Sequence, residues 1–283
     1  MSATIYEINR KHTLNQTFFD TIDTEAKAYF LGLLWADGSL SKTAKRCSEN
    51  NRLSISQKID DIDQLHKMQT ALKSNYSLYI STTNNTYSKN HKIATLSINS
   101  VYLVNQLERL GMCNKEIRTS IPKIPNNLMH HFIRGYFDGD GCLSIYQQQI
   151  KKWTINKQEF SLTGNEQLLR TIKQILEDSA NVSNKIKLKR YKRTNKAVSL
   201  RYGKKQDIIS LHQYLYENAT LYNENKHQKF VDFQNRLNGC KSDALWVPCV
   251  QSSCIKCSGV FQRLHELQNA NQLPFQPGNS WLC

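Results

Sequence analysis

Two short segments of the chain repeat one pattern, Phe30-Leu-Gly-Leu-Leu-Trp-Ala-Asp37-Gly38 and, much further on, Phe132-Ile-Arg-Gly-Tyr-Phe-Asp-Gly-Asp140-Gly141. Each reads as an apolar helix that ends in an acid followed by glycine. Small residues stand four apart in both, Gly32 with Ala36 and Gly135 with Gly139, and that spacing places each pair on one helical face. Helices that meet through such faces bring their backbones unusually close. Packed in this way, the two segments set Asp37 beside Asp140.

Two carboxylates held together at helix C-termini repel each other and face the negative poles of the helix dipoles. A divalent cation relieves this, and carboxylate oxygens, backbone carbonyls and water are the ligands magnesium prefers. One copy alone reads as readily as core packing with a solvated aspartate. Two copies followed by similar elements favour the paired site.

Hydrophobic periodicity gives the order α-β-β-α-β-β-α twice. In the first half, helices are expected over 24–35, 60–73 and 101–110, and strands around 53–56 and over 76–83 and 92–99. In the second half, helices are expected over 128–138, 166–177, 206–217 and 224–237, and strands over 142–149, 153–163, 185–191 and 197–203. Pro122 and Pro125 mark a linker. The expected organisation is an arm (1–22), a first lobe (23–118), a linker (119–127), a second lobe (128–237) and a cysteine-rich tail (238–283).

Lys and Arg number 38 against 23 Asp and Glu, a formal charge of +15. A polyanion is the expected partner, nucleic acid ahead of an anionic membrane surface. No stretch approaches the ~20 apolar residues of a spanning helix, and residues 1–10 are too polar for a secretion signal. Cys47, Cys113, Cys142 and Cys240 are scattered without a framework, which suggests an intracellular, reducing compartment.

The paired segments resemble the signature motif of LAGLIDADG homing endonucleases, in the form that carries two copies on one chain. The resemblance spans about 23–237 and departs from the pattern at Trp35, where many members have aspartate, and at Arg134 and Tyr136. It implies an α+β fold in which two pseudo-twofold-related αββαββα lobes form a DNA-binding saddle, acting as a monomer on double-stranded DNA with a long specific target. It also implies metal-dependent phosphodiester hydrolysis that leaves 3′ overhangs, with Mg2+ as cofactor and Ca2+ or Mn2+ as substitutes. Asp37 and Asp140 are then the catalytic, metal-binding acids, and the carbonyls of Ala36 and Gly139 supplementary ligands. The family's basic residue at the end of the last strand of a half maps onto Lys205, with uncharged Asn99 as its first-half counterpart. The family's water-ordering glutamine maps onto Gln57, with Gly164 opposite it in the second half. A different class stays open: a catalytically inactive member that binds nucleic acid as an RNA maturase or transcription regulator.

The open sheet faces should be basic if DNA lies there. The candidates are Arg52, Lys58, Lys92, Lys185, Lys187, Lys189, Tyr191, Arg201 and Lys204, although any one of these lysines also reads as a solvated surface charge. In the tail, Cys249, Cys254, Cys257 and Cys283 form an irregular set able to hold a structural Zn2+, with Cys240 or His265 as a substitute ligand. Free cysteines or a redox pair are the alternative reading.

Overall fold

The computed structural model describes residues 11–45, 48–85, 88–150, 153–190 and 197–239, with the side chains of 43–45, 48–50, 83–85, 88–90, 150, 153–154 and 238–239 left aside. The chain divides into two compact units, 1–235 and 236–283. Both lobes lie in the first. The tail, with Cys249, Cys254, Cys257 and Cys283, lies outside the described residues, as does Tyr191.

In the first lobe the elements are α1 (Glu25–Asp37), β1 (Gly38–Lys45), β2 (Ser48–Lys58), α2 (Ile62–Ala71), β3 (Leu78–Asn85), β4 (Ser88–Asn99) and α3 (Val101–Arg109). The second lobe repeats them as α4 (Met129–Asp140), β5 (Gly141–Ile150), β6 (Trp153–Gly164), α5 (Glu166–Ser179), β7 (Lys189–Arg190), β8 (Val198–Tyr202) and α6 (Lys205–Tyr216). A closing helix, α7 (Glu224–Gly239), follows. Each lobe carries one antiparallel four-stranded sheet, ordered β1-β2-β4-β3 and β5-β6-β8-β7.

Side-chain alternation gives each sheet one dry and one wet face. Leu53, Ile55, Ala94, Leu96 and Ile98 are buried in the first lobe, and Leu143, Phe160, Leu162, Leu200 and Tyr202 in the second. Amphipathic helices cover these rows: α2 contributes Leu65 and Met68, α3 Leu103, Val104 and Leu107, and α5 Leu168, Leu169, Ile172 and Leu176. Side-chain caps start several of them, as where Ser100 accepts from the Leu103 amide at 3.2 Å and Asn165 from the Gln167 amide at 2.9 Å. Residues 11–22 pack against the first lobe, with Phe18, Phe19 and Ile22 buried and the Asn15 amide donating to the Leu72 carbonyl at 2.7 Å.

The two motif helices are the centre of the molecule. α1 is buried along its whole length from Ala28 to Ala36, and α4 from His131 to Asp138. Their approach depends on glycine. A Cβ on Gly32 would lie 2.0 Å from the Phe132 carbonyl oxygen, and one on Gly135 2.0 Å from that of Tyr29, so backbone meets backbone at both points. The small-residue spacing in the sequence serves this contact.

The expected strand over 185–191 is reduced to Lys189–Arg190. Lys185 and Lys187 precede it in irregular chain, exposed while Ile186 and Leu188 are partly covered, so the alternation persists without a ladder. One strand of the expected order could not be placed from periodicity. It is β1, whose Gly-Ser-Leu-Ser-Lys-Thr-Ala-Lys sequence has a single large apolar residue to register.

Candidate active site

Asp37 and Asp140 end α1 and α4 and come together where the helices meet. The Lys115 ammonium joins them, 2.8 Å from Asp140 Oδ2, 3.0 Å from Asp140 Oδ1 and 3.9 Å from Asp37 Oδ1. A Cβ on Gly139 would lie 2.3 Å from Ala36 Cβ and 2.9 Å from Asp37 Oδ2, so the backbone of one motif touches the acid of the other. Burial raises the pKa of both carboxyls. Lys115 opposes this at each, Gln57 adds to the opposition at Asp37, and Asp37 itself pushes Asp140 further up.

Gln57 Nε2 donates to Asp37 Oδ2 at 2.9 Å, and the glutamine is buried at the end of β2. Gly164, its counterpart, is glycine for a visible reason. A Cβ there would lie 2.2 Å from the Tyr136 hydroxyl, which donates to the Thr163 carbonyl at 2.8 Å. Tyr136, one departure from the motif, therefore fills the second half where the first has a glutamine, and the two acids sit in unlike surroundings.

Two further cations were not evident from sequence. Arg118, buried, donates to the carbonyls of Leu34 at 3.2 Å, Gly38 at 3.2 Å, Cys113 at 2.6 Å and also Trp35. Lys226 of α7 donates to those of Phe137 (2.9 Å), Asp138 (2.6 Å), Gly139 (3.3 Å) and Gly141 (2.8 Å). Each motif helix thus has its orphan C-terminal carbonyls and dipole met by one cation, buried Arg118 or half-buried Lys226. A signal existed in the sequence, since neither helix has a basic residue in its own last turn. Burial lowers the Lys226 pKa, while Asp138 and Asp37 hold it up.

Lys205, the sequence candidate, opens α6 and is exposed. β8 starts at the acid end, with Val198 opposite Gly164, and runs away from it to Tyr202 opposite Phe160, which carries Lys204 and Lys205 to the far side. The end of β4 behaves alike, Asn99 pairing with Arg52 rather than with the Gln57 end of β2. Among the described residues, the lysine that meets the two acids is Lys115, while Lys226 meets the carbonyls at the end of the Asp140 helix.

Among the DNA-face candidates, Arg52 and Lys58 share the open face of the first sheet with Ser54, Ser56, Thr95 and Ser97. Lys92 has the parity of Ala94, Leu96 and Ile98, so it belongs to the helix-facing row and lies beyond the helices' cover. Arg201 projects from the open face of the second sheet, and Lys189 pairs across β8 with Ser199 on that face.

The halves differ again within the helix pair. Tyr29 and Phe132 occupy corresponding motif positions, as do Trp35 and Asp138. The Tyr29 hydroxyl donates to Asp138 Oδ2 at 2.8 Å, whereas Phe132 meets Trp35 edge-on with centroids 6.0 Å apart. Trp35 also donates its indole N–H to the Ser120 carbonyl at 3.0 Å, tying the linker to α1. Arg134, the remaining departure from the motif, braces the opposite end of the pair. It donates to Glu25 Oε1 at 2.6 Å and to the carbonyls of Leu215 (2.6 Å) and Leu221 (2.8 Å).

Residues 127–225 match the family model of a LAGLIDADG-like domain. A LAGLIDADG-like domain therefore lies in the second lobe. The LAGLIDADG match covers the second lobe, and the first lobe repeats its order of elements. Among curated proteins, reverse gyrase of Methanocaldococcus jannaschii is 30% identical over 126 residues, 44% of this chain and 6% of that protein, so the chain spans a small part of that relative's length. Among solved structures, the LAGLIDADG meganuclease I-AabMI bound to uncleaved DNA superposes with TM-score 0.54 at 13% identity, covering 78% of this chain and 92% of its own. I-SmaMI bound to uncleavable DNA gives TM-score 0.54 at 11% identity, covering 87% and 99%. At these identities the likeness establishes the LAGLIDADG fold. Among the described residues no helix is long and apolar enough to cross a membrane.

Proposed function

We propose that this protein is a monomeric, site-specific double-strand DNA endonuclease that hydrolyses phosphodiesters with a divalent metal and leaves 3′ overhangs. The observation that carries the reading is the meeting of Asp37 and Asp140, from equivalent helix ends, around one shared ammonium where the lobes join. The similar structures I-AabMI and I-LtrWI are nucleases bound to DNA, which supports the choice of substrate.

The residues suit a hard divalent cation. Asp140 Oδ2 is buried and, although an ammonium lies near it, accepts no hydrogen bond of good geometry, so one buried oxygen lacks a proper partner. Asp37 and Asp140 would hold Mg2+, with the Ala36 and Gly139 carbonyls as supplementary ligands. The Gly139 carbonyl is shared with Lys226 at 3.3 Å, while Arg118 bonds the carbonyls on either side of Ala36. A metal bound there neutralises charge on the reacting phosphate and generates a nucleophile at neutral pH. The chain's own contribution is positional. Gln57 fixes the rotamer of Asp37, Lys226 and Arg118 fix the helix ends, and Lys115 places a movable positive charge beside the acids.

Incubation with a randomised duplex library and Mg2+ should yield cut ends at one selected sequence, absent with Asp37→Asn or Asp140→Asn. Selective binding without cuts in the wild type would favour the other class, a LAGLIDADG nucleic-acid-binding protein acting as a maturase or regulator. A structural Zn2+ on Cys249, Cys254, Cys257 and Cys283 belongs to the same proposal. Metal analysis of the purified chain, expected to give one zinc that is lost on substituting Cys254 and Cys257, tests it.

A further inference from the structure

Glu159 is the one acid among the strand residues whose side chains are described, and it stands on the open face of the second sheet. The rest of that face suits a polyanion, with Lys157, Lys189 and Arg201 among Ser144, Ser161 and Thr163. A carboxylate facing a phosphate would repel it, so its place on such a surface requires a reason. Its partner is Arg201, whose NH1 lies 3.1 Å from Glu159 Oε1 and whose Nε donates to Ser199 Oγ at 2.9 Å. The guanidinium is therefore held in one orientation from two sides. Both side chains are about three-tenths exposed, open enough to meet a ligand laid on the sheet.

Register places Arg201 two strand spacings, about 10 Å, across the sheet from the residues that follow Asp140. Gly141, next to Asp140, pairs with Leu162 and through it aligns with Leu200; one residue along, Cys142 pairs with Ser161, which pairs in turn with Arg201. One strand residue is about 3.3 Å. Arginine supplies only donors and glutamate only acceptors. In the major groove, guanine offers the acceptors O6 and N7, and its paired cytosine offers the N4 donor beside O6.

We propose that Arg201 and Glu159 together read a single G·C pair near the cleavage position, Arg201 donating to guanine O6 and N7 and Glu159 accepting from cytosine N4. This rests on the DNA-binding reading above and adds the residues and base pair to it. The 3.1 Å contact presets the fork, so its orientation need not be found on binding. A pair that merely neutralised charge would carry no base preference.

The test uses the full chain in EDTA, so that binding is read without cleavage, against the selected duplex and all its single base-pair variants. The wild type should prefer G·C at one position beside the central bases by about ten- to a hundredfold. Glu159→Gln and Arg201→Lys should each flatten the preference at that same position to about threefold or less, leave the other positions ranked as before and leave the salt dependence unchanged. Thermal melts that match the wild type exclude misfolding as the cause. A uniform change in affinity across all variants, with the salt slope of Arg201→Lys lowered, would make the pair a phosphate contact and overturn the inference. Relaxation at two different positions would also overturn it. A wild type that selects no duplex at all would instead bring down the DNA reading itself, and this inference with it.

Discussion

Replacing Gly135 by alanine adds one carbon at the tightest point of the helix pair. That carbon would sit 2.0 Å from the Tyr29 carbonyl oxygen and 2.9 Å from the Leu33 amide nitrogen, where ordinary contact begins at 3.4 Å. The obstacle is backbone on a helix buried from Ala28 to Ala36, so no side chain can swing aside and the helices must part by an ångström or more. Overpacking of well-filled cores costs about 1–3 kcal/mol, and this site belongs at or above the top of that range. Alanine's better helix propensity returns at most about 1 kcal/mol, leaving a net loss of at least about 2 kcal/mol. The control is Gly203→Ala, whose Cβ would meet nothing nearer than the Gln158 carbonyl at 3.6 Å. Urea denaturation of the two variants measures the difference. If Gly135→Ala lies within 0.5 kcal/mol of Gly203→Ala, on the order of measurement error for surface changes, the backbone contact argued here does not exist. If the proposed nuclease reading holds, a variant that folds should also lose cleavage by about a hundredfold, since misplacing catalytic groups by about 1 Å is that costly.

Lys226→Met would strip the ammonium from the Phe137, Asp138, Gly139 and Gly141 carbonyls and leave Asp138 only the weaker influence of Arg134, a loss of about 3 kcal/mol or more by denaturant melt; a loss under about 1 kcal/mol would argue against the cap. Lys115→Ala removes the competitor for the acid pair, so added Mg2+ should raise the melting temperature more in the variant than in the wild type, and an equal rise would refute the contact. His131 is held to about 4, chiefly by burial and then by Arg134, below its ordinary 6.5. Its neutral form is favoured by folding, so the stability it contributes is complete above pH 6.5 and is lost as pH falls towards 4. Melts across that window should fall more steeply for the wild type than for His131→Gln, and parallel curves would show that the histidine is solvated.

Much of the fold follows from patterns the sequence displays openly. The duplicated motif, its glycine spacing and the order of helices and strands appear because each depends on local periodicity and on residues a few positions apart. What escapes is set by distance along the chain. Arg118 and Lys226 cap helices whose ends lie some eighty residues before them, and Lys115 reaches acids of both lobes from a short 3-10 turn. No local pattern distinguishes these three among 38 basic residues. Gln57 was legible because it sits at a fixed place in the strand after the motif. The assignment of Lys205 relied on strand order without strand direction, and the antiparallel register of β8 carries that position away from the acids. The contraction of β7 has a similar origin, because alternating exposure occurs in extended chain whether or not a partner strand pairs with it.

The unequal contacts of Tyr29 with Asp138 and of Phe132 with Trp35 make the two halves complementary rather than interchangeable. Were two copies of the second half to associate through α4, each Asp138 would face a phenylalanine, and two carboxyls would be desolvated with no hydroxyl to receive. Two copies of the first half would set tyrosine against tryptophan and leave the phenol, still held by Gln64, no carboxylate to donate to. Cross-pairing alone gives Asp138 its hydroxyl and Phe132 its indole, so halves expressed as separate polypeptides should find each other and reject themselves.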